Sequence, residues 1–157
     1  MEVIEHALHV LANCEGQYRI YQQLVARAGV SLDPSCAWLL FRIEEQAPIS
    51  GRELAKRLRV PPERLTTSVE QLSREGLVAI TPQVVPLSDG QRPNGQIEQI
   101  TLTSIGQQTY DKLTSAYHQS LTELLDGWSP EQETELATLL QKLTSNLRTD
   151  TGTLLLT

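Results

Sequence analysis

A chain of 157 residues with 13 basic and 19 acidic side chains, net −6, and only two cysteines is long enough to bury a core without disulfides or metals. Cys14 and Cys36 are too few for a secreted disulfide framework, and their spacing matches no zinc pattern, so both are expected as free thiols. The longest wholly apolar run, residues 37–41, is far short of the roughly 20 residues that span a bilayer, and the acidic start MEVIE is not a signal peptide; one cytoplasmic domain over residues 1–148 is expected, with a loose tail at 149–157.

A first helix is expected over residues 2–28, because Ile4, Ala7, Leu11, Cys14, Tyr18, Tyr21, Val25 and Ala28 recur in steps of three and four as a heptad seam. Such a seam calls for another helix or another subunit. Gly29 ends the helix. Asp33 then caps a second helix with Pro34 at its first position. Its run CAWLLF is apolar nearly all round, as befits an element buried in the middle of the domain.

The stretch ISGRELAKRLRVPPERLTTSVEQLSREGLV, residues 49–78, is the most informative in the chain. Ser50 followed three residues on by Glu53 is a capping box, and Ile49 can staple onto Leu54, so a helix starts at Ser50. Leu54, Ala55 and Leu58 form its apolar face. Val60 before Pro61 and Pro62 stops it. The next helix begins near Pro62 and sets Leu65, Val69 and Leu72 on one face, leaving Arg64, Thr66, Thr67, Glu70, Gln71 and Arg74 off the packed side until Gly76 ends it. Two helices joined by a tight turn describe a helix-turn-helix, built to hold one helix against a duplex groove. Residues 48–104 hold seven basic and six acidic groups, net +1, while the remainder carries −7. The acidity therefore lies outside the helix-turn-helix.

Strands are expected over residues 77–85 and 97–102, the second alternating as IEQITL. Between them Pro86, Asp89-Gly90, Arg92-Pro93 and Asn94-Gly95 make a turn-rich loop, the tip of a small β-hairpin wing. Thr103 caps a helix reaching to about Asp126. Ser129-Pro130-Glu131-Gln132 is a second capping box, opening a last helix with Leu136, Leu139, Leu140, Leu143 and Leu147 on one stripe. The fold expected is mainly α: a winged helix-turn-helix at 34–103, flanked by helical extensions at 1–30 and 104–148. No nucleophile elbow, phosphate loop or paired-carboxylate signature is present, and Ser50 and Ser129 are accounted for as caps, so no enzyme is expected.

Tyr21-x-x-Leu24 before Ala28-Gly29-Val30-Ser31, Glu53-Leu54-Ala55-x-x-Leu58, Val69-x-x-Leu72-x-x-x-Gly76-Leu77-Val78 and Leu102-Thr103-x-x-Gly106 together resemble the MarR family of winged-helix regulators, from about residue 5 to 147. The resemblance implies a DNA-binding transcriptional regulator, homodimeric and responsive to a small ligand, with two recognition helices spaced for a pseudo-palindromic duplex. It implies that the helical extensions at 1–30 and 104–148 are dimerisation regions, with an interface drawn from Ile4, Leu11, Tyr18, Tyr21, Leu136, Leu140, Leu143 and Leu147. It places base reading on Pro62, Glu63, Arg64, Thr66 and Thr67, with phosphate contacts from Arg52, Arg57 or Arg74. Arg92, in the wing, reaches a minor groove or is a solvated loop arginine. A groove-reading helix usually offers Arg, Lys, Asn or Gln, whereas this one sets a single arginine between Glu63 and two threonines.

The family binds phenolic or drug-like ligands in a crevice between its dimer helices and winged domain, which makes Trp38 and Tyr117 candidates for an apolar or aromatic ligand; core packing is the alternative. One branch senses peroxides through a cysteine on the first helix, so Cys14 is either a sensor thiol or a buried seam cysteine. His6, His9 and His118 lack an acidic or cysteine ligand at a fixing spacing and are expected as surface histidines; no metal or cofactor is expected. The segments DPSCAWLLFRIEEQAPISGRELAKRLRVPPERL and LTELLDGWSPEQETELATLLQKL also resemble the MarR-like cytoplasmic module that follows the last membrane helix of some major-facilitator multidrug transporters. That resemblance implies a ligand-sensing or dimerisation domain, covalently continued into a carrier, with little DNA affinity.

Overall fold

Asp33 accepts a hydrogen bond from the Ser35 backbone N–H at 2.8 Å, and with Pro34 at the first position this starts a helix from Pro34–Gln46. In the computed structural model, which describes residues 1–12, 14–84 and 96–149, two helices precede it, α1 at Glu2–Ala12 and α2 at Cys14–Ala28, so it becomes α3. One unbroken helix was expected over residues 2–28. Residue 13, between α1 and α2, lies outside the described residues. Gly29 ends α2 in the left-handed region, φ +65°, as its residue type requires.

The heptad seam divides between two environments. Tyr21, Val25 and Ala28 pack against the core beside the fully buried Leu24, whereas Ile4 and Tyr18 stand 58 % and 47 % exposed. The side chains of Leu11 and Cys14 lie outside the described residues. Helix α3 forms the centre: Cys36, Ala37, Leu39, Leu40 and Ile43 are buried, and Phe41 meets Tyr21 and Tyr110 edge-on at centroid distances of 5.8 and 5.1 Å.

A two-residue strand, β1 at Ile49–Ser50, comes before α4 at Gly51–Leu58 and α5 at Pro62–Arg74; β2 follows at Val78–Val84 and β3 at Gln96–Leu102. The sheet is antiparallel in the order β1-β3-β2, with buried Ile100 opposite Ile49 on one side and Ile80 on the other. Two residues carry no periodic signal, so β1 was not expected. The hairpin tip, including Asp89 and Arg92, lies outside the described residues.

Helix α6, Ser104–Leu124, is tied to the exit of α5 by one residue. Thr103 donates its hydroxyl to the Gly76 carbonyl and its backbone N–H to the Leu77 carbonyl at 3.0 Å, while its hydroxyl oxygen accepts the Gly106 N–H at 3.0 Å. A Cβ on Gly106 would stand 1.9 Å from the Leu77 carbonyl oxygen. Only hydrogen fits there.

The chain divides into two compact units, Met1–Tyr117 and His118–Thr157. The second holds the end of α6 and helix α7, Pro130–Thr149. Its start is a complete capping box: the Ser129 N–H donates to Gln132 Oε1 at 2.9 Å, and the Gln132 N–H donates to Ser129 Oγ at 3.3 Å. On α7, Leu139, Leu140 and Leu143 are exposed and Leu136 is half-buried; the Leu147 side chain lies outside the described residues. Among the described residues no helix is long and apolar enough to cross a membrane.

Gly106→Ala is expected to cost more than about 3 kcal/mol in urea denaturation, because backbone must move to admit one methyl. Thr103→Val, which removes hydrogen bonds without that clash, is expected to cost about 1–3 kcal/mol. An unchanged midpoint for Gly106→Ala would refute the close approach.

Candidate nucleic-acid interface

Ser50 Oγ accepts the Glu53 N–H at 3.2 Å, giving one half of the expected capping box. For the other half, Glu53 turns its carboxylate to Arg57 instead, at 3.2 Å. Leu54 and Ala55 are buried and seat α4 on the core. Its stop was expected at Val60-Pro61-Pro62, yet the helix closes earlier, at Arg59, which adopts a left-handed conformation with φ +54°. The Arg59 N–H bonds to the Lys56 carbonyl at 3.3 Å and the Val60 N–H to the Ala55 carbonyl at 3.1 Å, satisfying carbonyls that the helix end would otherwise orphan. Pro61 and Pro62 then start α5, with no side-chain cap on its first turn.

Leu65, Val69 and Leu72 are buried and fix the rotation of α5 about its axis. At about 100° per residue, Glu63, Thr67, Glu70 and Arg74 form the midline opposite that anchor, with Thr66 and Arg64 on its two flanks. All six are exposed. Thr66 Oγ1 donates to the Pro62 carbonyl at 2.8 Å and Thr67 Oγ1 to the Glu63 carbonyl at 3.0 Å.

The cations here fall into two groups. Arg57 pairs with Glu53 and lies 3.4 Å from Gln46 Oε1, and Arg74 pairs with Glu70 at 3.6 Å. Such exposed i,i+4 pairs are worth only about 0.3–0.5 kcal/mol and exchange readily for a phosphate. Arg52, Lys56, Arg59 and Arg64 make no ion pair among the described residues. Residue type alone does not show which of these cations are already partnered.

The ligand candidates sit apart from this surface in kind. Trp38 is half-buried with the Arg42 guanidinium 6.0 Å from its ring centroid, and Arg42 is also paired to Glu45 at 2.8 Å. Tyr117 is exposed on α6. A cleft of about 140 Å³ lies between Leu65 and Val69 of α5 and Ile80 and Ile100 of the sheet. Cys36 is buried in the core, and that burial, with the charges of Asp33 and Glu75, pushes its thiol up to about 11. It stays protonated at neutral pH, a packing atom rather than a nucleophile. Among the described residues no group of three or more His, Cys, Asp or Glu side chains is placed to hold a metal.

No protein-family model and no curated protein matches the chain. Solved structures do. A MarR family protein from Bacillus stearothermophilus superposes with a TM-score of 0.75 at 17 % identity, covering 94 % of each chain. Wild-type MarR from E. coli, in its apo form, gives 0.65 at 21 % identity over 91 % of this chain and 96 % of that one. Staphylococcus aureus MarR in complex with salicylate and kanamycin gives 0.60 at 13 % identity, covering 84 % and 83 %. At these identities the likeness is one of fold: this chain has the winged helix-turn-helix fold of MarR family structures.

Replacing Arg59 by glycine relieves the left-handed side chain, so Arg59→Gly is expected to raise unfolding stability by about 1 kcal/mol in a denaturant titration. A fall in stability would mean that the arginine side chain holds the turn.

Proposed function

We propose that this chain is a DNA-binding transcriptional regulator of MarR type, a homodimer that grips a short palindrome and lets go when a small apolar or aromatic ligand binds. The observation that carries the reading is a set of exposed cations on α4, its C-cap and α5, Arg52, Lys56, Arg59 and Arg64, that make no ion pair among the described residues, in a winged helix-turn-helix whose chain is otherwise acidic. Cations of this kind displace condensed counterions from a duplex, while α5 enters the major groove. Arg57 and Arg74 join them by exchanging a carboxylate for a phosphate. Arg92, for which a minor-groove contact and a solvated loop arginine are the two readings, lies outside the described residues.

Exposed apolar side chains support the homodimer, with Ile4 and Tyr18 on α1 and α2 and Leu140 and Leu143 on α7 open to solvent in the single chain. Leu11, Tyr21, Leu136 and Leu147 are further candidates for dimer contacts; the side chains of Leu11 and Leu147 lie outside the described residues. A two-fold axis would set two copies of α5 on the two halves of a palindrome. The Staphylococcus aureus structure with salicylate supports a ligand of phenolic type, for which Trp38 and Tyr117 are the contacts. Such a ligand acts by binding one spacing of the paired α5 helices better than the other. A role on DNA places the protein in the cytoplasm.

Fluorescence anisotropy with a pool of random duplexes tests the DNA reading. Binding at low salt is expected to weaken steeply as salt rises, and Arg64→Ala on a selected duplex is expected to cost about 1–3 kcal/mol, close to tenfold or more. Arg52→Ala and Lys56→Ala are each expected to lower the log-log salt slope by about one. No binding at low salt would overturn the reading and leave the ligand-sensing or dimerisation module of a transporter in its place.

Light scattering tests the assembly: the protein is expected as a dimer, and Tyr18→Glu as a monomer with unchanged helix content. A Tyr18→Glu dimer of full strength would remove the seam from the interface.

A further inference from the structure

The chemistry of α5 says which bases it suits. A carbonyl oxygen carries no hydrogen, so in the bonds from Thr66 to Pro62 and from Thr67 to Glu63 the hydroxyl must be the donor. Each hydroxyl thereby commits its one proton to the helix's own backbone. What it turns outward is lone pairs and a methyl group. Glu63, exposed in the first turn and without an ion pair among the described residues, is a carboxylate and also only accepts. Glu63, Thr66 and Thr67 are thus three acceptors on the leading half of the exposed face, and Arg64 is the donor beside them.

The major groove sorts bases by the same property. Cytosine N4 and adenine N6 present amino donors; guanine O6 and N7 and thymine O4 present acceptors. An acceptor set against an acceptor leaves both unpaired in a desolvated interface, which is costly. Adenine also places N7, an acceptor, next to its amino group, where a carboxylate is repelled and a carboxamide is welcomed. Cytosine has no such neighbour.

We infer that Glu63 is a specificity-determining residue that selects cytosine through its N4 amino group, with Thr66 and Thr67 favouring bases that offer an amino donor and Arg64 alone reading guanine. This rests on the DNA-binding reading above. Glu63 also repels nearby phosphates, so it lowers affinity for duplex in general while raising discrimination between duplexes. Specificity here comes partly from a group that weakens binding everywhere except at its matched base.

Selection from a random duplex library, followed by sequencing, tests the inference on the full-length wild-type protein, Glu63→Gln and Thr67→Val. Wild type is expected to enrich a half-site with an invariant cytosine. In Glu63→Gln that position is expected to shift toward adenine, with discrimination for cytosine falling about tenfold and non-specific binding rising. Thr67→Val keeps the shape and removes the acceptor, and is expected to relax a different position. If wild type selects a motif and Glu63→Gln selects the same one with the same discrimination, the inference is overturned while DNA binding stands. If wild type enriches no sequence while still binding duplex, the inference fails too. If wild type binds no duplex, the DNA reading itself has failed.

Discussion

The contact on which the rest of the winged domain depends is the close approach of α6 to the carbonyls of Gly76 and Leu77. Gly76 takes a left-handed turn, φ +74°, that ends α5 and sends the chain into β2. Thr103 then bonds both carbonyls from the far end of β3, and Gly106 keeps nothing larger than hydrogen against Leu77. The start and finish of the β2–β3 hairpin are therefore fixed on the same two residues that close α5. Polar groups in such a place are satisfied on all sides, so neither partner can drift without leaving an unpaired carbonyl. With Leu65, Val69 and Leu72 buried beneath it, α5 has one rotation and one tilt available. This is what gives its outward side chains a defined address.

The surface built on that frame has little charge in excess. Two of its arginines are already neutralised by glutamates one turn away, and Glu63 adds a further negative group to the face turned outward. Strong electrostatic attraction would hold any duplex. If this surface holds a duplex as proposed, Arg52, Lys56, Arg59 and Arg64, which make no ion pair among the described residues, would supply the attraction and matched hydrogen bonds the discrimination.

Much of this was legible in the sequence, where the cause was local. The Ser129 and Gln132 capping box forms in full because all its atoms lie within four residues. Leu65, Val69 and Leu72 bury together because their spacing alone decides which side of α5 is apolar. The Leu102-Thr103-x-x-Gly106 pattern was visible as a motif, but its reason, a carbonyl 27 residues earlier, was not. Tertiary effects account for the misses. The seam could serve another helix or another subunit, and at Tyr21 the partner inside the chain is Phe41 of α3, which spacing alone does not name. Glu53 was expected to close its capping box, and Arg57 drew it away. A left-handed arginine gives no advance signal, since glycine is the residue such a position advertises. A count of charges likewise does not show which ones are spoken for, as Arg57 and Arg74 are by Glu53 and Glu70.

The ion pairs within α4 and α5 also alter what each contact would contribute. An arginine that meets a phosphate would free a cation condensed on the duplex whether or not it first left a glutamate. Leaving Glu53 or Glu70 would cost Arg57 or Arg74 the worth of an exposed pair, about 0.3–0.5 kcal/mol. Contacts through these two arginines would thus weigh on the salt dependence as fully as any others while adding less to the affinity at a given salt.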